Sequence, residues 1–94
     1  MVTRRKGEVA ARMSEREAER EAPHIVELAH PRDGFGIMLV ERIARFNTER
    51  NIPLRRGRRQ RREDREYVRF CFADAAVAAA FRESFGGERT EAST

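Results

Sequence analysis

Residues 67–73 read YVRFCFA, and the alternation in that run decides how the rest of the chain must be arranged. Val68, Phe70 and Phe72 fall on one side of an extended backbone, while Tyr67, Arg69 and Cys71 fall on the other. A strand with one strongly apolar face needs a layer of structure to cover that face. The layer follows at once. Asp74 stands where a helix N-cap is needed, and residues 75–85 read as a helix with Val77, Phe81 and Phe85 turned inward and alanines between them. Gly86 and Gly87 supply the stop, and residues 88–91 read as a short last strand.

The same rhythm of strand and helix lies upstream. Residues 24–29 (HIVELA) set Val26 and Leu28 on one face and Ile25, Glu27 and Ala29 on the other. Pro31, Asp33, Gly34 and Gly36 mark a turn, with Asp33 the expected cap of the next helix. Phe35, Leu39, Ile43 and Phe46 then recur at helical spacing, and Asn51 and Pro53 end the helix after about Arg50. Residues 53–61 are almost without apolar side chains after Leu54, and read as a strand or as a mobile loop. With a strand there, the order is βαββαβ. That is the ferredoxin-like split βαβ arrangement, an α+β fold with a small antiparallel sheet and two helices on one face. Its second strand lies at a sheet edge, where arginines discourage edge-to-edge pairing. The expected core is Val26, Leu28, Phe35, Leu39, Ile43, Phe46, Val68, Phe70, Phe72, Val77, Phe81 and Phe85.

Residues 1–22 differ in composition. They are charged and alanine-rich, with only Val9 and Met13 as an apolar seam, and the expectation is a frayed helix or a disordered arm closed by Pro23. Residues 23–92 are then the single α+β domain, which suits a chain of 94 residues. The longest unbroken apolar run, residues 75–81, is far short of the ~18 residues of a membrane span. The basic start is followed by no apolar segment of the secretory kind. Cys71 is the only cysteine, so an internal disulfide is excluded and a cytoplasmic location is expected.

Catalytic and metal chemistry find few candidates. His24 and His30 stand six apart without a second ligand pair, so no metal is expected. Ser14, Ser84 and Ser93 lack a glycine elbow, and Cys71 reads as a small packed residue. Gly34 and Gly36 sit between strand and helix, but residue 39 is leucine where a dinucleotide fingerprint needs its third glycine. No cofactor and no enzyme activity are expected. A cleft joining His30, Asp33 and Cys71 would be the feature to reverse that.

Charge is the unusual feature. All basic residues but Lys6 are arginine, and residues 50–69 hold nine arginines against Glu63, Asp64 and Glu66, a net +6 within a chain of net +4. Arg55, Arg56, Arg58, Arg59, Arg61 and Arg62 crowd into eight residues, and clustered guanidinium groups match phosphate and gain from counterion release. Just downstream, REYVRFCFAD and the alanine-rich helix after it resemble the third strand and second helix of an RNA recognition motif over residues 65–89. The resemblance implies a base-stacking platform at Tyr67, with Arg69 where a second aromatic would stand, while the partner strand puts Glu27 on the same face. As a whole the chain resembles small uncharacterised bacterial α+β proteins that end in a phenylalanine-rich strand, an alanine-rich helix and FGG; that likeness implies a fold.

Two functions are expected from this reading. The first is a structural or interaction domain acting through protein contact, with the open sheet face of Ile25, Tyr67 and Cys71 covered by a second copy or a protein partner. The alternative is sequence-independent binding of RNA or single-stranded DNA by Arg55, Arg56, Arg58, Arg59, Arg61, Arg62, Tyr67 and Arg69.

Overall fold

The phenylalanine strand sits second from one edge of the sheet, between the arginine edge and the first strand. The computed structural model describes residues 14–91. In chain order these form α1 (Glu15–Glu21), β1 (His24–Ala29), α2 (Ile37–Glu49), β2 (Gln60–Arg62), β3 (Arg65–Phe72), α3 (Ala75–Phe85) and β4 (Glu88–Glu91). The strands make one antiparallel sheet in the order β2-β3-β1-β4. The structure is thus α+β, with a four-stranded antiparallel sheet and three helices among the described residues. None of those helices is long and apolar enough to cross a membrane.

Register follows the hydrophobic pattern, because a slip of one residue would turn every side chain to the wrong face. Val26 pairs with Phe70 and Leu28 with Val68, so the apolar positions of β1 and β3 share a face. Ile43 and Phe46 of α2 and Ala78 and Phe81 of α3 close over that face. Phe81 is fully buried at the centre, its ring 5.3 Å from Phe46, 5.3 Å from Phe70, 5.1 Å from Phe72 and 4.7 Å from Phe85. Each such burial stabilises by roughly 1.5–3 kcal/mol, and aromatic contact adds to it. Eight of the twelve expected core residues are buried here, and Phe35, Leu39, Val77 and Phe85 pack half-buried around them.

Local signals set the ends of α3. The Asp74 carboxylate accepts from the Ala76 amide at 2.8 Å, and Gly86 ends the helix at φ 83°. Gly87 then passes so close to β1 that a Cβ there would lie 2.5 Å from the Glu27 carbonyl oxygen. Helix α2 starts later than expected. Gly34 and Gly36 both take φ 83°, which holds the chain out of the helix until Ile37, and Gly36 rather than Asp33 is the cap. Phe35 therefore lies before the helix, against His30 and Phe70.

Residues 53–61 run along β3 in two pieces. Arg56 bridges Phe70, with the Cys71 amide donating to the Arg55 carbonyl and the Gly57 amide to the Arg69 carbonyl, each at 2.9 Å. From Gln60, opposite Tyr67, the pairing resumes with its register slipped by one residue, as at a bulge. Glu63 and Asp64, both at positive φ, make the two-residue hairpin turn into β3.

The other face of the sheet corrects the expectation for the amino-terminal segment. Its Val9–Met13 seam lies outside the described residues, but Glu15–Glu21 is a helix that packs on the sheet. Ala18 and Ala22 bury against Ile25 and Cys71, so the face expected to be open is covered there. Ser14 caps the helix, accepting from the Glu17 amide at 3.0 Å and donating its own amide to the Glu17 carboxylate at 3.1 Å.

Candidate functional site

The antiparallel register of β1 and β3 sets Glu27 opposite Arg69 on the face that α1 covers. Gly57 lies beside Arg69 on the edge strand, and Glu19 reaches down from α1 to meet it. Glu19 is 3% exposed and Glu27 6%, a depth at which a carboxylate must be paired. Both are. One Glu19 oxygen accepts the Arg58 backbone amide at 2.6 Å. The other accepts Arg58 Nη2 at 2.9 Å and Nε at 3.3 Å, and lies 3.1 Å from Arg69 Nη1. Glu27 accepts Arg69 Nε at 2.9 Å on one oxygen and Arg62 Nη2 at 2.7 Å on the other. The result is an alternating chain of charges, Arg58, Glu19, Arg69, Glu27, Arg62, laid across the sheet.

Burial alone would push both carboxyls up. For Glu19 the hydrogen bonds from Arg58 and Arg69 more than offset it, and for Glu27 those from Arg62 and Arg69 do, so both titrate below the usual carboxylate range. Gly57 makes the approach feasible, since a Cβ there would lie 2.5 Å from Glu19 Oε2.

The arginines expected on phosphate are thus largely engaged within the chain. Arg58, Arg62 and Arg69 hold the two buried carboxylates. Arg59 and Arg61 lie 3.2 and 3.6 Å from Glu66 on the surface. Among the described residues, no carboxylate lies within ion-pair distance of Arg55 or Arg56. Tyr67 is half-buried with the Arg62 guanidinium 4.2 Å above its ring, a cation–π contact on the ring expected to stack bases. Glu19 is the partner that sequence reasoning missed. Ala18 and Ala22 stand at helical spacing beside it, but nothing local ties Glu19 to Arg58, 39 residues on.

The catalytic candidates do not converge. Cys71 lines a shallow apolar cleft with Ile52, Phe72 and Val77, whereas His30 lines a polar one with Arg32, Arg61 and Asp64. Burial, and next the negative Glu19, push the Cys71 thiol up to about 12, which leaves it protonated and a poor nucleophile. No cluster of three or more histidine, cysteine or acidic side chains among the described residues could hold a metal ion.

A second surface lies on α2. Ile37 is 73% exposed and Met38 74%, with Val40 exposed one turn on. The Arg42 guanidinium lies over the Phe85 ring of α3, on the flank of α2 away from Ile37 and Val40. Comparison with protein-family models, with curated proteins and with solved structures finds no match to this chain.

Proposed function

We propose that this chain is a non-enzymatic interaction domain that works through protein contact, with the first turn of α2 as its contact surface and a second copy as its partner. The carrying observation is the exposure of three large apolar residues, Ile37, Met38 and Val40, within the first turn of α2. Adjoining apolar side chains left in water mark contact sites more often than isolated ones do. An apolar patch needs no complementary charge, so it suits the self-complementary interface of a two-fold dimer. The separation of His30 and Cys71 into different clefts supports the non-enzymatic reading. The fold we assign is the ferredoxin-like split βαβ, supported by the order β2-β3-β1-β4 with every neighbour antiparallel. Sedimentation velocity over a range of concentrations tests the function. The wild type should dimerise at high micromolar concentration and Ile37→Ser/Met38→Ser should remain monomeric; a wild type that stays monomeric throughout would remove the proposal.

A second reading, binding of single-stranded RNA or DNA, is favoured by Arg55 and Arg56 on the sheet edge, with no carboxylate beside them among the described residues. Titration with labelled oligonucleotides at two salt concentrations tests it. Log affinity should fall by roughly 0.7 per neutralised phosphate for each unit of log salt. An oligonucleotide that does not bind even in low salt would end this reading.

A further inference from the structure

We infer that the Glu19 carboxylate fills an anion socket built for phosphate, and that α1 is a lid which single-stranded nucleic acid displaces to reach it. The proposal rests on the second reading above and adds a gate to it.

The socket is defined by donors. The backbone amide of Arg58, its guanidinium fork and the Arg69 guanidinium converge on two carboxylate oxygens at 2.6 to 3.3 Å. A fixed backbone amide beside paired guanidinium forks is a donor set that serves a phosphodiester as well as a carboxylate. The floor is Gly57, where a Cβ would leave no room for the Glu19 oxygen. An anion can therefore settle onto the strand itself.

The occupant is carried by the shortest helix among the described residues. Helix α1 has seven residues and rests its apolar contact on Ala18 and Ala22. Helices this short are not stable alone in water, so its order depends on docking, through the Ala18–Ala22 seam and the Glu19 ion pairs together. A competing anion can take the place of the carboxylate on those donors, whereas it has nothing to exchange with in an apolar seam. The lid is also acidic, with Glu15, Glu17, Glu19 and Glu21 against Arg16 and Arg20. It covers a face on which Arg62 and Tyr67 continue the line from Arg58 and Arg69. Lifting α1 would free the Arg58 guanidinium and the Nη1 side of Arg69, whose Nε stays on Glu27, on the same face as the Tyr67 ring that Arg62 covers from one side.

The experiment is a fluorescence-anisotropy titration of the full chain with a fluorescein-labelled twelve-nucleotide oligo(dT), at low and near-physiological salt. Glu19→Gln should bind roughly tenfold tighter than wild type, the scale of one charged hydrogen-bonded contact released. Arg69→Gln added to Glu19→Gln should remove that gain. Equal affinity for wild type and Glu19→Gln would overturn the gate while leaving the nucleic-acid reading in place, as would a gain that survives Arg69→Gln. No binding by any of the three in low salt would end both. Amide hydrogen exchange on the wild type gives an arm that needs no variant. Exchange across residues 18–22 should quicken with saturating oligo(dT), and unchanged or slower exchange there overturns the lid.

Discussion

On one face of the sheet the six phenylalanines of the chain pack in one cluster with Phe81 at its centre, while on the other two buried glutamates are shared among Arg58, Arg62 and Arg69 beneath a seven-residue helix. The first face depends on area removed from water, which is indifferent to partners and little changed by salt. The second depends on charge pairs whose attraction is set against the cost of drying them, so their net contribution is small even where the geometry is good. One sheet thus carries a layer that holds the fold and a layer whose attachment responds to ions.

Substitutions can break or sharpen that contrast. The largest effect belongs to the phenylalanine face. Phe81→Ala should cost about 3–5 kcal/mol in urea denaturation, because the cavity lies among four rings that cannot all collapse into it. A loss under about 1 kcal/mol would mean that the two faces do not differ in the way described.

Gly57→Ala comes next. Its Cβ would meet Glu19 at Oε2 and at Cγ, the latter at 2.7 Å, so the whole side chain has to move and not only its tip. A penalty of about 1–3 kcal/mol is expected. It should appear as faster amide exchange in α1, with the urea midpoint of the core almost unmoved. If the core transition moved as far as α1 did, the two layers would be one cooperative unit.

The two helix caps give a matched pair. Asp74→Ala and Ser14→Ala each remove a hydrogen bond to a first-turn amide and should each cost about 1 kcal/mol. Asp74 caps a core helix, so its loss should lower the global midpoint. Ser14 caps α1, so its loss should be visible only as exchange in that helix.

Acid gives the smallest effect. Glu19 and Glu27 titrate below their unfolded value of roughly 4.3, so the stability they contribute is present above that pH and is lost as pH falls through the lower folded values. Protection of the α1 amides, relative to their intrinsic exchange at each pH, should therefore fall in acid before near-ultraviolet dichroism of the core changes. Simultaneous loss of both signals would contradict a separate ionic layer.

What the sequence made legible follows from how local each signal is. The alternation of residues 67–73, the Asp74 cap and the Gly86 stop are all written within a few residues, and all are found in place. Asp33 misled because the positive φ of Gly34 and Gly36 postpones the helix, and backbone handedness leaves no trace in a hydrophobic pattern. Helix α1 was half written. Ser14 and Glu17 stand at the spacing of a capping box, but Ala18 and Ala22 are too small to give an amphipathic stripe. The firmer hint was Ile25, an apolar side chain on the face expected to be covered by a second copy or a partner, which the chain's own helix covers instead. The ion pairs were out of local reach. Glu19 and Arg58 are 39 residues apart and Glu27 and Arg62 are 35 apart, distances bridged only by the strand register.

Cys71 has a practical consequence. It is the sole thiol of the chain, buried under Ala18 and Ala22, with its proton held up to about 12 by burial and by the Glu19 charge. Alkylation of that sulfur should quicken whenever α1 lifts, so its pseudo-first-order labelling rate, compared with and without a substitution that blocks the cleft of Ile52 and Val77, reports how often that state is visited. No probe has to be introduced, and the product is a single added mass on an otherwise native protein. Run at a series of salt concentrations, the comparison would time the opening of the ionic layer while the phenylalanine layer stayed shut.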